Sequence, residues 1–209
     1  MRITIFGADG RTGREVITEA LSRGHILTGF VYSKDSINTF PPHVRIFCGD
    51  IRNHQTVKES IISADAVVSV IGHVKGSDPL VQTKGVQNVV VAMEELGIKR
   101  LISLTGTGAR VPGDTPSLLD KILNFFVTLV DKERIRDGQE HLKVLEQSSL
   151  DWSVLRVLKL NKSKLPAGNY TLTAHGPAEA STSRKKVAHI ILDLIENKLF
   201  FKEYPVVSK

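Results

Sequence analysis

The amino-acid sequence predicts an α/β protein with a doubly wound, mostly parallel sheet, and three observations carry that expectation. Short β-branched apolar runs recur along the chain, and longer stretches with helical periodicity separate them. The first run also ends directly in a glycine-rich loop that opens a helical stretch. Such runs fit strands covered on both faces, and the stretches between them fit the crossover helices that parallel strands need.

Taken in order, strands are expected at Arg2 to Phe6, Ile26 to Tyr32, Val44 to Cys48, Ala66 to Ile71, Arg100 to Leu104 and Trp152 to Arg156. Each stops where a Gly, Asp, Ser or Thr begins a loop, and strand ends of that kind face the ligand crevice of an open α/β sheet. Helices are expected to begin near Thr12, Asn53, Pro79 and Leu118, with Asn53 and Asp78 as capping residues. The stretch Leu118 to Ser149 is too long for one ordinary crossover helix, so a break is expected around Asp137-Gly138. Beyond Arg156, Lys159, Lys162, Lys164, Pro166, Gly168 and Asn169 mark a loop before a short strand near Tyr170 to Thr173. The last helix is expected over Ser183 to Asn197, with Val187, Ile190, Ile191, Leu194 and Ile195 on one face. Residues 1–209 read as one domain, to which 157–182 and 198–209 contribute a small C-terminal lobe.

With 41% hydrophobic and 24% charged residues, the composition is that of an ordinary globular protein and excludes a disordered or fibrous chain. Cys48 is the sole cysteine, so no intramolecular disulfide or thiolate metal cluster can be built, and a cytoplasmic protein is expected. The seven histidines are scattered without metal-ligand spacing, so no metal is expected. No secretion signal precedes the first strand. The longest apolar run, Leu118 to Val130, carries Asp120, Lys121 and Asn124, so no membrane partner is expected. A net charge of +6 favours anionic partners, and a phosphorylated cofactor and nucleic acid both qualify. The basic C-terminal stretch lacks the interleaved aromatic residues of a base-stacking platform, which argues against nucleic acid.

Gly7-Ala8-Asp9-Gly10-Arg11-Thr12-Gly13 follows the first strand and opens the first helix, the context of a Rossmann-type dinucleotide loop. The first glycine allows the tight turn, the second lets backbone approach a pyrophosphate, and the third lets helix and strand pack closely. At the end of the second strand stand Tyr32, Ser33 and Lys34, where a carboxylate would select the ribose 2′-hydroxyl of NAD. A hydroxyl and an ammonium there, with Arg11 close by, suit the 2′-phosphate and point to NADP(H) over NAD(H). Asp35 works against that preference. Asp50 and Ile51 follow the third strand, where Asp50 suits either an adenine amino group or a helix cap. Ile71, Gly72 and His73 follow the fourth, with Gly72 leaving room for a ribose and His73 on the rim near the nicotinamide.

These pieces resemble the atypical short-chain dehydrogenase/reductase family, in the NAD(P)H-binding group near the NmrA-like proteins and the biliverdin-IXβ and flavin reductases. Further matching segments are Gly49-Asp50-Ile51, Ala64 to Val68, Gly85 to Val90, and His141 to Glu146 running into Leu150 to Arg156. The resemblance implies a cofactor along the carboxyl ends of the strands and a small-molecule substrate beside it. It also implies a Tyr-x-x-x-Lys pair near the helix entering the sixth strand, where this chain has Gln139 and Lys143. Gln139 has no proton to donate near neutrality. Lys143 is then a candidate for the nicotinamide ribose, and Thr105, ending the fifth strand, for contact with nicotinamide or substrate. A strand-end cap is the competing role for Thr105.

Two functions fit these expectations. One is an NADPH-dependent reductase passing a hydride to a conjugated molecule such as a flavin or quinone, which needs no protein acid because water protonates the product. The other is an NADP(H)-binding redox sensor or regulator that does not turn the cofactor over. A monomer and a homodimer are both open, since the apolar run Leu123 to Val130 suits either core or interface.

Overall fold

The computed structural model describes residues 1–74, 76–163 and 169–208. Lys164, Pro166 and Gly168 of the expected loop lie outside the described residues. The first half alternates strand and helix: β1 (Arg2–Phe6), α1 (Arg11–Ser22), β2 (Ile26–Val31), β3 (Arg45–Cys48), α2 (His54–Ile61), β4 (Ala66–Ser69), α3 (Val81–Glu95) and β5 (Arg100–Gly106). A 3₁₀ turn, Lys34–Thr39, lies between β2 and β3. Two consecutive helices follow, α4 (Leu118–Val130) and α5 (Lys132–Glu146), then β6 (Asp151–Val157), β7 (Leu160–Asn161), β8 (Thr171–Thr173), β9 (Thr182–Ser183), α6 (Arg184–Glu196) and β10 (Val206–Ser208).

The main sheet runs β3-β2-β1-β4-β5-β6-β10-β8. Its first seven strands are parallel and only β8 runs antiparallel, against β10. The strand order reverses between β1 and β4, so the connections leaving those two strands diverge and open a crevice at their carboxyl ends. This is the doubly wound Rossmann architecture. Within the C-terminal segments, β7 and β9 form a separate two-stranded sheet, while β8 and β10 extend the edge of the main one.

Both faces are covered, which is why strands such as Ala66–Ser69 are buried at every position. On one face Val16, Ile17 and Ala20 of α1 pack with Val187, Ile190, Ile191 and Leu194 of α6. On the other, Val57 and Ile61 of α2, Val86, Val89, Val90, Ala92 and Met93 of α3, and Leu142 and Leu145 of α5 form a second core. Asn53 caps α2 by accepting from the Thr56 amide, and Ser183 caps α6 by accepting from Lys186.

The helix break falls at Asp131, not at Asp137-Gly138. Asp131 ends α4 and caps α5, its carboxylate accepting from the Arg134 amide. Gly138 lies within α5 for a packing reason, since a Cβ there would sit 3.1 Å from Thr105 Oγ1 and 3.3 Å from the Ala109 Cβ. Of α4, only Asp120 is buried, and Leu118, Phe125, Leu129 and Val130 are 60% exposed or more. The apolar run of α4 is therefore surface and not core.

Candidate functional site

The glycine loop is built by steric necessity at two positions. Gly7 takes a positive φ of 78°, and a Cβ on it would press within 3.0 Å of the Val70 carbonyl oxygen on the adjoining strand connection. Gly13 is tighter, because its Cβ would lie 2.1 Å from the Gly7 carbonyl oxygen and 2.7 Å from the Ala8 Cα. The loop thus folds flat against the start of α1. Gly10 is the N-cap and provides no side-chain acceptor, so the first amides of α1 face outward uncapped. An anion is the natural partner for such a helix start.

From this loop a cleft of about 1210 Å³ crosses the carboxyl ends of the strands. Its polar end is lined by Gly7, Asp9, Gly10, Arg11, Thr12, Tyr32, Ser33, Asp50 and Arg52. Its middle passes Ile71, Gly72 and His73 and the α6 start at Arg184. Its far end is walled by Leu104, Thr105, Val127, Ile135, Gly138, Val157, Leu158 and Leu160, mostly apolar side chains from β5, β6, α4 and α5. Burial, with repulsion from Arg11 added to it, lowers the Arg184 guanidinium from its ordinary value. A cleft with cations at one end and apolar walls at the other suits a phosphorylated ligand carrying, or meeting, a flat apolar group.

A family model described as NAD(P)H-binding matches residues 7–198, nearly the whole chain. This chain belongs to the NAD(P)H-binding family. Its fold is that of a short-chain dehydrogenase/reductase (wide type) from Veillonella parvula, solved in complex with NADP. The TM-score is 0.83 at 19% identity, covering 100% of this chain and 94% of that one. The anaerobilin reductase ChuY from Escherichia coli O157:H7 is similar too, with a TM-score of 0.81 at 18% identity over 99% of this chain and 97% of that one. The atypical short-chain dehydrogenase/reductase resemblance is borne out at the level of fold and cofactor class. In sequence, 102 residues are 31% identical to an uncharacterized protein of Mycobacterium tuberculosis, covering 49% of this chain. That match spans only 12% of the mycobacterial protein.

Within this NAD(P)H-binding fold the residues expected from sequence divide into two groups. Gly7, Asp9, Gly10, Arg11, Thr12, Tyr32, Ser33, Asp50, Ile51, Ile71, Gly72, His73 and Thr105 all line the cleft. Gly13 lies behind it and acts through packing. Lys34 and Lys143 are not among the residues that line the cleft. The Ser33 hydroxyl accepts from the Asp35 amide and starts the 3₁₀ turn, which leaves Lys34 exposed beyond the wall. Lys143 is exposed and paired with Glu140 at 2.8 Å. The residues of α5 that face the cleft are Arg134, Ile135 and Gly138. The four-apart pair on that face is thus Arg134 and Gly138, five positions before Gln139 and Lys143, and it offers neither phenol nor ammonium.

Asp50 lines the cleft and does not cap α2, a role taken by Asn53. Its carboxylate accepts from the Arg52 amide and guanidinium, at 2.6 Å for the shortest contact, and that bond holds it below its usual range. Asp9 accepts from the Ser36 hydroxyl at 3.3 Å, which sets a carboxylate between the glycine loop and the 3₁₀ turn.

Asp137 is the functional residue that the sequence reading missed. It is fully buried on α5, and its carboxylate accepts from the Gln82 and Thr83 amides at 2.9 Å and the Thr83 hydroxyl at 2.6 Å. It therefore caps α3 from another helix. The same carboxylate lies 3.0 Å from His73 Nε2, which also reaches the Pro79 carbonyl at 3.1 Å. Burial alone would raise the Asp137 carboxyl, but the bonds from His73, Thr83 and the helix amides outweigh it and hold the group low. His73 is correspondingly raised, the Asp137 bond prevailing over desolvation and over Arg134. One turn on, His141 is buried, accepts or donates at 2.9 Å with Ser103 Oγ, and is pushed down to about 4 by burial despite Asp137. It is neutral at pH 7. Among the described residues no group of His, Cys, Asp and Glu gathers in a metal-binding arrangement, and no helix is long and apolar enough to cross a membrane.

Proposed function

We propose that this protein is an NADPH-dependent oxidoreductase that passes a hydride to a conjugated small molecule such as a flavin or a quinone. The observation that carries the reading is the continuous cleft, cationic at the glycine loop and apolar beside Thr105, with no phenol on the α5 face that borders it. The chain's residues fit the cofactor. Gly7 and Gly13 flatten the loop, the uncapped α1 amides suit a pyrophosphate, and Gly72 lines the cleft after β4 without a side chain. Arg11 is the side chain best placed for a 2′-phosphate, in place of Lys34. When bound, the reduced nicotinamide supplies the hydride, and the protein contributes orientation and exclusion of water. Leu104, Val127, Ile135 and Leu158 form the wall against which a flat acceptor would stack.

A regulatory NADP(H)-binding protein is the second reading, favoured by the same absence of a tyrosine and a lysine on the α5 face. Steady oxidation of NADPH with a panel of flavins and quinones separates the two. Cofactor choice is read by thermal shift with NADP, NADPH, NAD and NADH, since a ligand that binds only the folded state raises its melting temperature. NADPH is expected to stabilise more than NADH, and Arg11→Ala to abolish the difference. A larger shift with NADH would instead favour Asp9 as a partner of a ribose 2′-hydroxyl and remove the NADP assignment.

A further inference from the structure

We propose that His73, held and charged by Asp137, is the proton donor to the acceptor bound in the cleft. This rests on the reductase reading and deepens it by giving the reaction an acid that the α5 face lacks. The geometry has three parts. His73 Nε2 is committed to Asp137 and to the Pro79 carbonyl, at 3.0 and 3.1 Å. Nδ1 has no partner among the described residues, and the ring lines the cleft. Asp137 precedes Gly138, whose added Cβ would meet Thr105 at the end of β5, so the buried carboxylate ties His73, in the middle of the cleft, to the helix that borders its apolar end.

An aspartate bound to one ring nitrogen leaves the other available for a ligand and stabilises the imidazolium. The charged groups around His73 agree with this. Asp137 favours the imidazolium, Arg134 opposes it more weakly, and Asp78 on the neighbouring loop is already engaged by Lys84 and the Leu80 amide. In the step, the acceptor gains a hydride from the reduced nicotinamide and its displaced π pair moves to a ring nitrogen or carbonyl oxygen. That atom takes the proton from His73 Nδ1–H. The imidazole left behind is neutral, keeps its Nε2–H on Asp137, and regains a proton from solvent at the cleft mouth.

The competing role for His73 is a clasp that ties the segment after β4 to α5. Two measurements distinguish them. In the free protein, ring NMR across pH, assigned by comparison with His73→Gln, should show His73 titrating above 6.5, and Asp137→Asn should lower that midpoint by about one unit or more. With NADPH and a flavin or naphthoquinone acceptor, His73→Gln should lose roughly 100-fold in kcat at pH 7, while NADPH affinity stays within about twofold. The fall in wild-type rate as pH rises through the His73 midpoint should vanish in the same variant. His73→Gln leaves the Asp137 cap on α3 in place, so it keeps the test valid even if Asp137→Asn fails to fold. A clasp predicts a lower melting temperature with an unchanged pH profile, and that result overturns the proposal, as does an ordinary His73 titration. If the wild-type protein binds no nicotinamide nucleotide, the reductase reading falls and the proton-donor role with it. If it reduces acceptors and His73→Gln matches it, only the donor role falls.

Discussion

Replacing Gly13 by Ala tests the loop on which the cofactor assignment stands. The added methyl would lie 2.1 Å from the Gly7 carbonyl oxygen, 2.7 Å from the Ala8 Cα and 2.8 Å from the Ala8 carbonyl oxygen. All three are backbone atoms, so no side chain can swing away. Either α1 retreats from β1, where it packs through Val16 and Ile17, or the Gly7 to Gly10 bend opens. Overpacking of a tight core typically costs about 1–3 kcal/mol, and contacts this short belong at or above the top of that range. Against it stands a gain of roughly 0.5–1 kcal/mol from exchanging Gly for Ala in a helix. The net is a loss of about 2 kcal/mol, which for a chain of this size lowers Tm by roughly 4–8 °C. Because the same movement displaces the amides expected to face the pyrophosphate, NADPH affinity should fall at least tenfold, equivalent to about 1.4 kcal/mol. Scanning calorimetry and nucleotide titration read the two effects. Gly72→Ala is the matched control for stability, since its Cβ meets nothing within 4 Å. A Gly13→Ala protein with unchanged Tm and an affinity within twofold of wild type would refute both the packing argument and the pyrophosphate assignment.

Three further outcomes follow from buried groups. Arg156 is 1% exposed and holds Asp114 at 2.6 and 2.8 Å together with the Tyr204, Ala109 and Ala174 carbonyls. Arg156→Ala removes the guanidinium from buried Asp114, which among the described residues keeps only the Val111 amide and a distant His175, and should cost about 3–5 kcal/mol in urea unfolding; a loss below about 1 kcal/mol would contradict the pairing. His141 has a folded pKa pushed down to about 4, so the unfolded chain binds the extra proton as pH drops below 6.5. Stability should therefore decline from pH 6.5 towards 4, by about 3 kcal/mol from this residue alone, and His141→Leu should flatten that slope between pH 6.5 and 5. An unchanged slope would mean that the ring is hydrated. Gly138→Ala sets a methyl 3.1 Å from Thr105 Oγ1. The contact offsets the helical gain of about 1 kcal/mol, so denaturation should show little net change, while a clear stabilisation would show that Thr105 moves freely.

The chain order of strands and helices was legible because both signals are local. Short continuous apolar runs mark β1 to β6, period-3.6 patterns mark α1 and α6, and the glycine spacing marks the bend after β1. The cap residue Asn53 could be read in place, whereas Asp78 accepts from the Leu80 amide just ahead of α3, which begins at Val81 with Leu80 as its N-cap. These features determine the architecture and, through the family it implies, the class of cofactor. β8 is marked by the short run near Tyr170 to Thr173, whereas the three residues of β10 are too few to show a pattern. β10 exists because the edge of β6 offers unpaired backbone groups to a segment far along the chain.

The side chains that face the cleft were decided by packing. A helix pattern tells which stripe is apolar, but the polar residue that meets a ligand depends on how the helix is rotated and where it starts. Moving the break to Asp131 and pressing Gly138 against Thr105 turned Arg134 towards the cleft and left Lys143 with Glu140. The same packing brought Asp137 to His73 and to the α3 amides 55 and 54 residues away, and seated Arg184 beside Arg11. No local periodicity encodes such pairings, because their geometry is the sum of every contact between the elements that carry them. Local sequence patterns thus determine the sheet and the glycine bend, while close packing between helices decides which side chains line the cleft beside it.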